Sequence, residues 1–280
     1  MRAMLRVCLL FQTLFGRCRL TNINDLVEQL NKELDECSVM AHMTRDSGLQ
    51  REACDRLELL VYVAANYKEQ AVSHQFEDAA NLFLGFIYSA LALRSQICMW
   101  LYLKQENPDN AWDCLVLAQR YADSAIDAHE DFSKVKEFRD KMEQIEKLVF
   151  PPQLFFSAGY VVQEQECSIC GQDYGDCDHI AGRPYMGELC AIKAKGLQVD
   201  HTAVVTEPAD KRCRAVYYHT EGGKRNRMTW KIEPLDESED AGPDDGSMVV
   251  HAILAVVSDQ VTLHRPWLAE GEACGAEGGV

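Results

Sequence analysis

Five residues between positions 167 and 190 have the types and spacing of metal ligands: Cys167, Cys170, Cys177, His179 and Cys190. Cys167 and Cys170 form a C-x2-C pair, and Gly171 just after it lets the chain turn so that both sulfurs face one point. Thiolate and imidazole are the donors of tetrahedral zinc, and a structural site closes on four of them. The spacing therefore predicts a zinc knuckle holding a structural ion. Cys177 and His179 complete a compact C-x2-C-x6-C-x-H set; His179 with Cys190 completes a wider one and leaves Cys177 outside the shell. Spacing alone keeps both sets open. A catalytic zinc would need a base poised at the metal, and no helical H-E-x-x-H pattern supplies one.

The segments around this loop read as strands. Leu154 to Val162 and Leu197 to Pro208 are β-branched or aromatic runs bounded by Gly or Pro. A metal crosslink between them can fix a small β unit that lacks enough core of its own. Arg214–Thr220 and Arg227–Glu233 flank Glu-Gly-Gly-Lys and predict a hairpin. Residues 234–247 form an acidic linker of low hydrophobicity. Met248 to Val257 is strand-like, and Val261 to His264 can pair back on it, so 248–268 is expected as a β-hairpin. The Gly- and Glu-rich tail, 269–280, is expected to be disordered.

Upstream the period changes from two to 3.6. Leu26, Leu30, Leu34 and Val39 make an apolar stripe after N-cap candidates at Thr21 to Asp25, predicting a helix of about six turns. A second stripe runs through Cys54, Leu57, Leu60, Val61 and Ala64. A third segment, from about Phe76 to Lys104, is apolar almost all round and belongs in the middle of a bundle, with Arg94, Ser95 and Gln96 arguing against a membrane span. Asn107-Pro108 restarts a helix that runs to His129, and a Lys- and Glu-rich helix from about Phe132 to Leu148 ends at Pro151-Pro152. His74 and His129 read as capping or surface residues. The expected fold is α+β: an N-terminal all-α helical bundle, 21–150, followed by a small zinc-stabilised β-rich domain, 153–233.

Composition narrows the functional classes. The 280 residues carry 28 basic and 44 acidic side chains, a formal charge of −16, which repels a phosphate backbone unless a local face overrides it. Lys193, Lys195, Lys211, Arg212, Arg214, Lys224, Arg225 and Arg227 form such a local cluster, so nucleic acid is one expected partner and a protein the other. The cysteines at 8, 18, 37, 54, 98, 114, 213 and 274 are scattered rather than framed for disulfides, which favours reduced thiols and a cytoplasmic location. Residues 1–20 hold four arginines and no acid around an apolar run. They are shaped like a short signal peptide or a basic membrane-surface helix, and read equally as a first packing helix or an over-long start of translation. The run is too short to span a bilayer.

From about Phe156 to Val216 the chain resembles a cysteine-bearing segment of tailed-phage and prophage proteins. The residues that carry the likeness are the C-S-I-C-G-x-D-Y-x-x-C-x-H-I run and Ala203-Val-Val-Thr-Glu-Pro-Ala-Asp210. The second stretch is similar to the closing strand of prohead (capsid maturation) proteases, and Ser157-Ala-Gly-Tyr160 loosely matches their nucleophile strand. The resemblance implies phage or mobile-element ancestry for the C-terminal module, and it would make Ser157 a nucleophile with His179 or His201 as base. The upstream β core and histidine of those proteases are absent. The expected function is therefore a non-enzymatic zinc-binding protein acting through protein contacts, with nucleic-acid binding or serine peptidase activity as the alternatives.

Overall fold

The computed structural model describes residues 23–235, 248–254 and 264–267. The basic segment 1–20, the acidic linker from 236 and the tail 269–280 lie outside the described residues. Within them the architecture is α+β, with five α-helices preceding ten short strands.

The helices are α1 (Ile23–Ser38), α2 (Ser47–Ser73), α3 (Glu77–Lys104), α4 (Pro108–Ala128) and α5 (Val135–Val149). Helix α1 stops at 16 residues, short of the six turns expected. The reason lies just beyond it. The buried Gln50 side chain donates to the carbonyls of Met40 and His42 at 3.0 and 2.9 Å, holding the chain in a loop rather than a further turn. Asp46 then caps α2 by accepting from the N–H groups of Gly48 and Leu49. Asn107 caps α4, where Pro108 occupies the first turn. His129 ends α4 as the cap of the following short turn, accepting from the Asp131 N–H.

Helix α3 lies between α2 and α4 and is buried on most of its surface, as its all-round apolarity predicts. It is long and apolar enough to cross a membrane, yet most of that stretch is enclosed by protein. Gly85 is required where Phe132 crosses α3, because a Cβ there would sit 2.2 Å from the phenyl ring. That ring packs edge-on against Phe86 at 5.1 Å.

The strands make four small antiparallel sheets. Strand β1 (Phe155–Val161) pairs with β6 (Gln198–Val205), β2 (Glu164–Cys167) with β5 (Ile192–Lys195), and β3 (Pro184–Tyr185) with β4 (Glu188–Leu189). The fourth sheet has the order β10 (Val250–Ala252), β7 (Ala215–Thr220), β8 (Gly223–Asn226), β9 (Ile232–Glu233). One expectation needs correction here. The hairpin partner of β7 begins at Gly223, not Arg227, because Glu221 and Gly222, the latter at φ +91°, close a two-residue turn. The Asn226 Oδ1 then accepts from the Met228 and Thr229 N–H groups and ends the strand. Of the β-hairpin expected over 248–268, residues 255–263 and 268 lie outside the described residues; Val250–Ala252 adds β10 to the edge of β7, where the His251 and His219 Nε2 atoms lie 2.8 Å apart.

Pro151-Pro152 ends α5 but does not divide two cores. Phe155 and Met228 pack into the helical core, and the segment leading into β7 is bound to α4. There Arg214, almost fully buried, donates from Nη2 to Asp109 Oδ1 at 2.6 Å, while Asn226 donates to Asp109 Oδ2 at 3.0 Å. The Arg214 guanidinium lies 5.9 Å from the centre of the Trp112 ring, whose Nε1 donates to the Lys211 carbonyl at 2.9 Å.

A strap, His264 to Trp267, crosses α2 and α3. Cys98 donates to the His264 carbonyl at 3.5 Å, Gln105 donates to the Pro266 carbonyl at 2.8 Å, and Arg265 pairs with Glu58. The groups facing the His264 side are Tyr102, Cys98, Arg94, Glu58 and Arg265, with Arg212 close enough to be felt. Burial, and then the cations Arg94 and Arg212, pull its imidazole down to about 4.

Two outcomes follow from this packing. Asp109→Ala leaves Arg214 buried without its counter-charge and should cost about 3–5 kcal/mol in urea unfolding. An Asp109→Leu, Arg214→Met double change should recover much of that loss. The docked strap keeps His264 neutral, so its contribution is complete above about pH 6.5 and fades as pH falls toward 4. An NMR titration of His264 with a midpoint near 4, accompanied by loss of strap contacts on acidification, is the expected record.

Candidate metal centre

The metal loop is built from the strand ends inward. β2 delivers Cys167 to the end of a ladder in which Cys167 faces Ile192. The chain then folds back on itself: Gly171 N–H donates to the Cys167 carbonyl at 2.9 Å, and Gly171 takes φ +70°, a conformation glycine adopts without strain. The Ser168 hydroxyl accepts from the Ala191 N–H at 2.8 Å and ties the knuckle to the strand returning from Cys190. Asp173 caps a short turn, Tyr174–Asp176, by accepting from Gly175 N–H at 2.8 Å, which presents Cys177.

Two tyrosines shape the rest. The Tyr174 and Tyr185 hydroxyls accept from the N–H groups of Ala181 and Ile180, each at 3.0 Å, and Tyr185 stacks edge-on against the His179 ring at 4.7 Å. Neither tyrosine was singled out by sequence reasoning. Their only signal was two phenols within a loop otherwise poor in large side chains.

The result brings one ligand atom each from Cys167, Cys170, Cys177 and His179 within 4.8 Å of one another. This is the compact set of the two that spacing left open. Cys190 is not in the mutual foursome, but its Sγ lies 3.8 Å from that of Cys167. A further observation concerns His179: its Nδ1 is buried and has no hydrogen-bond partner. A buried ring nitrogen left without a partner is costly unless something absent from a hydrogen-bond network takes its lone pair. A cation fits that position.

The thiols differ in their electrostatics. Burial pushes the Cys167 thiol up, but the N–H groups of Cys170 and Ile169, followed by the Cys170 and Cys177 thiols, outweigh it and hold Cys167 at about 6. It is therefore largely thiolate at neutral pH, the form that ligates metals. Burial and the neighbouring Cys167 sulfur push Cys190 up to about 11, and the two sulfurs lie 3.8 Å apart. Cys177 is raised, first by burial. Three sulfurs and one imidazole converging in this way form a Cys3His donor set that can hold a metal ion, and zinc is the divalent ion such a set suits.

The loop is also fastened to the helices. The β3–β4 turn, Met186-Gly187, inserts between α2 and α3. There Gly187 N–H donates to Asn81 Oδ1 at 2.8 Å and Met186 N–H to Glu77 Oε1 at 3.3 Å. Gly187 sits at φ +79°, and a Cβ there would meet Lys68 and Ala80.

The other candidate residues are dispersed. Ser157 faces Ala203 on β6 and makes no side-chain hydrogen bond to His201. The His201 ring instead covers Gly159 and pairs with Asp200 at 2.9 Å. Among the basic cluster, Lys211 pairs with Glu146, Arg212 with Asp210 and Arg214 with Asp109, while Lys195 pairs with Glu166. Lys224 and Arg225 lie against Tyr217 and Tyr218. The described cysteines form no disulfide; Cys54 and Cys98, the other close pair, stand 3.8 Å apart as thiols.

Comparison with protein families, with curated proteins and with solved structures finds no match for this chain.

Cys177→Ser and His179→Ala should each abolish stoichiometric metal retention through gel filtration. Cys190→Ser, beside the set rather than within it, should retain the ion with affinity lowered by about 10–100-fold at most. Metal content by plasma mass spectrometry on the three purified variants reads the difference.

Proposed function

We propose that this chain is a non-enzymatic zinc-binding protein of phage or mobile-element type, cytoplasmic, in which a structural zinc orders a small β module for contact with a protein partner. The observation that carries the reading is the convergence of Cys167, Cys170, Cys177 and His179, beside which the buried His179 Nδ1 has no hydrogen-bond partner. Four protein ligands fill a tetrahedral shell and leave no position for a substrate, which is the arrangement of structural rather than catalytic zinc. When bound, zinc would crosslink the ends of β2 and the turn at Tyr174–Asp176, a region whose strands are too short to hold themselves.

The phage ancestry rests on the C-S-I-C-G-x-D-Y-x-x-C-x-H-I run and on Ala203 to Asp210. The cytoplasmic assignment rests on the free thiols, including the buried Cys54 and Cys98. A protein partner is favoured by an acidic chain in which Lys211, Arg212 and Arg214 are spent on internal ion pairs.

Protein purified without chelator should contain one zinc per chain. Stripping it with a strong chelator should remove hydrogen-exchange protection from β2, β5 and the 167–190 loop while leaving α3 protected. Metal-free protein with unchanged protection in the loop would refute a structural zinc.

A further inference from the structure

The strap at 264–267 covers a groove whose chemistry is unusual for the flank of a helical bundle. Arg94, in the middle of the apolar helix α3, is almost fully buried, and its Nε has no partner. Its counter-charge, Glu58 on α2, stands 3.5 Å away and is shared with Arg265 of the strap. A buried cation is seldom the most stable occupant of a helix core, since apolar residues of similar volume commonly do as well or better. Arg94 therefore calls for a purpose other than stability.

The strap supplies one. The Arg94 guanidinium lies 6.0 Å from the centre of the Trp267 ring, Glu58 takes the Arg265 guanidinium, and Cys98 and Gln105 donate to the carbonyls of His264 and Pro266. Tyr102 meets the His264 ring edge-on at 5.8 Å. Each group along the groove has a complementary group on a four-residue segment. Two are backbone carbonyls, which any peptide offers; the selective ones are an arginine and a tryptophan, the side chains that most often anchor protein interfaces. Pro266 between them limits the conformations such a segment loses on binding.

We propose that this groove is a recognition site for a partner protein's extended segment bearing an Arg-Pro-Trp-type sequence, and that residues 264–267 occupy it in cis. The interaction role proposed above supplies its biological use, but the groove itself does not involve the metal loop. A tethered strap competes at high effective concentration, so a partner engages only when it outcompetes or displaces the tail.

The test uses the full chain carrying Arg265→Glu and Trp267→Ala, which removes the two side chains that anchor the strap, and a fluorescein-labelled peptide with the chain's own sequence from Val261 to Glu270. Saturable anisotropy is expected with this variant, and binding to the wild-type chain should be at least about ten-fold weaker because its own strap is seated. Adding Glu58→Lys should lower the variant's affinity by a similar factor. Absence of saturable binding to a variant that keeps the wild-type circular dichroism overturns the proposal, as does binding indifferent to Glu58→Lys. Arg265→Ala alone serves if the double change does not fold. A wild-type dimer seen in sedimentation and lost in the variant would assign the groove to a second copy and overturn the partner reading. Zinc measured on the same samples separates failure of the groove from failure of the metal centre.

Discussion

One carboxylate, Asp109 in the first turn of α4, holds the β half of the molecule to the helices. It accepts from Arg214 at the entrance to β7 and from Asn226 at the end of β8, so both strands of the central hairpin are referred to a single point on the bundle. The cost of burying Arg214 makes this a demanding contact: the guanidinium must find its partner or the segment cannot close. Trp112, one turn further along α4, donates to the Lys211 carbonyl and packs against Phe150 and Phe155, with the buried Arg214 guanidinium beside its ring. The apolar surface of the β strands is too small to fold alone, and this junction lends them the helical core.

A metal ion held by the Cys3His set would be a second tie. The metal loop hangs from the ends of β2 and β5, and without a crosslink its internal order would rest on a few backbone bonds around Gly171 and on two tyrosine hydroxyls. Metal-ligand bonds substitute for a core in such short segments. Asp109 acts on β7 and β8, whereas a bound ion would act on the segment from β2 to β5. The β1–β6 ribbon runs out with Tyr160, Val161, Val199 and Val204 exposed.

Much of this was legible in the sequence because its signals are local. The C-x2-C-G knuckle, the apolar run of α3, the Asn-Pro restart and the strand-rich second half depend on residues near one another in the chain. The candidate ligands were also legible, since types and spacing carry the chemistry. What spacing could not rank was Cys177 against Cys190, a choice made in space by Asp173, Tyr174 and Tyr185 rather than by interval. The rest was hidden because it depends on distant partners. Gln50 shortens α1 by claiming carbonyls that only folding brings near, and Asn226 ends β8 through its own side chain. The His264 to Trp267 strap reads as half of a hairpin until Glu58 and Arg94 are known to face it. Lys211, Arg212 and Arg214 read as a surface cluster because their acidic partners, Glu146, Asp210 and Asp109, belong mostly to other elements.

The placement of Met186-Gly187 between α2 and α3 has an energetic meaning beyond docking. The turn follows the last of the four donors, His179, and precedes Cys190, whose sulfur lies against that of Cys167, so seating it on Asn81 and Glu77 restrains the chain on the C-terminal side of the donor set. Part of the entropy of ordering that side is thus already spent in the folded protein. Ion capture and helix contact would consequently be linked equilibria, each strengthening the other by the same free energy. The knuckle excised as a peptide would have the same donors as the intact chain and a weaker hold on the ion.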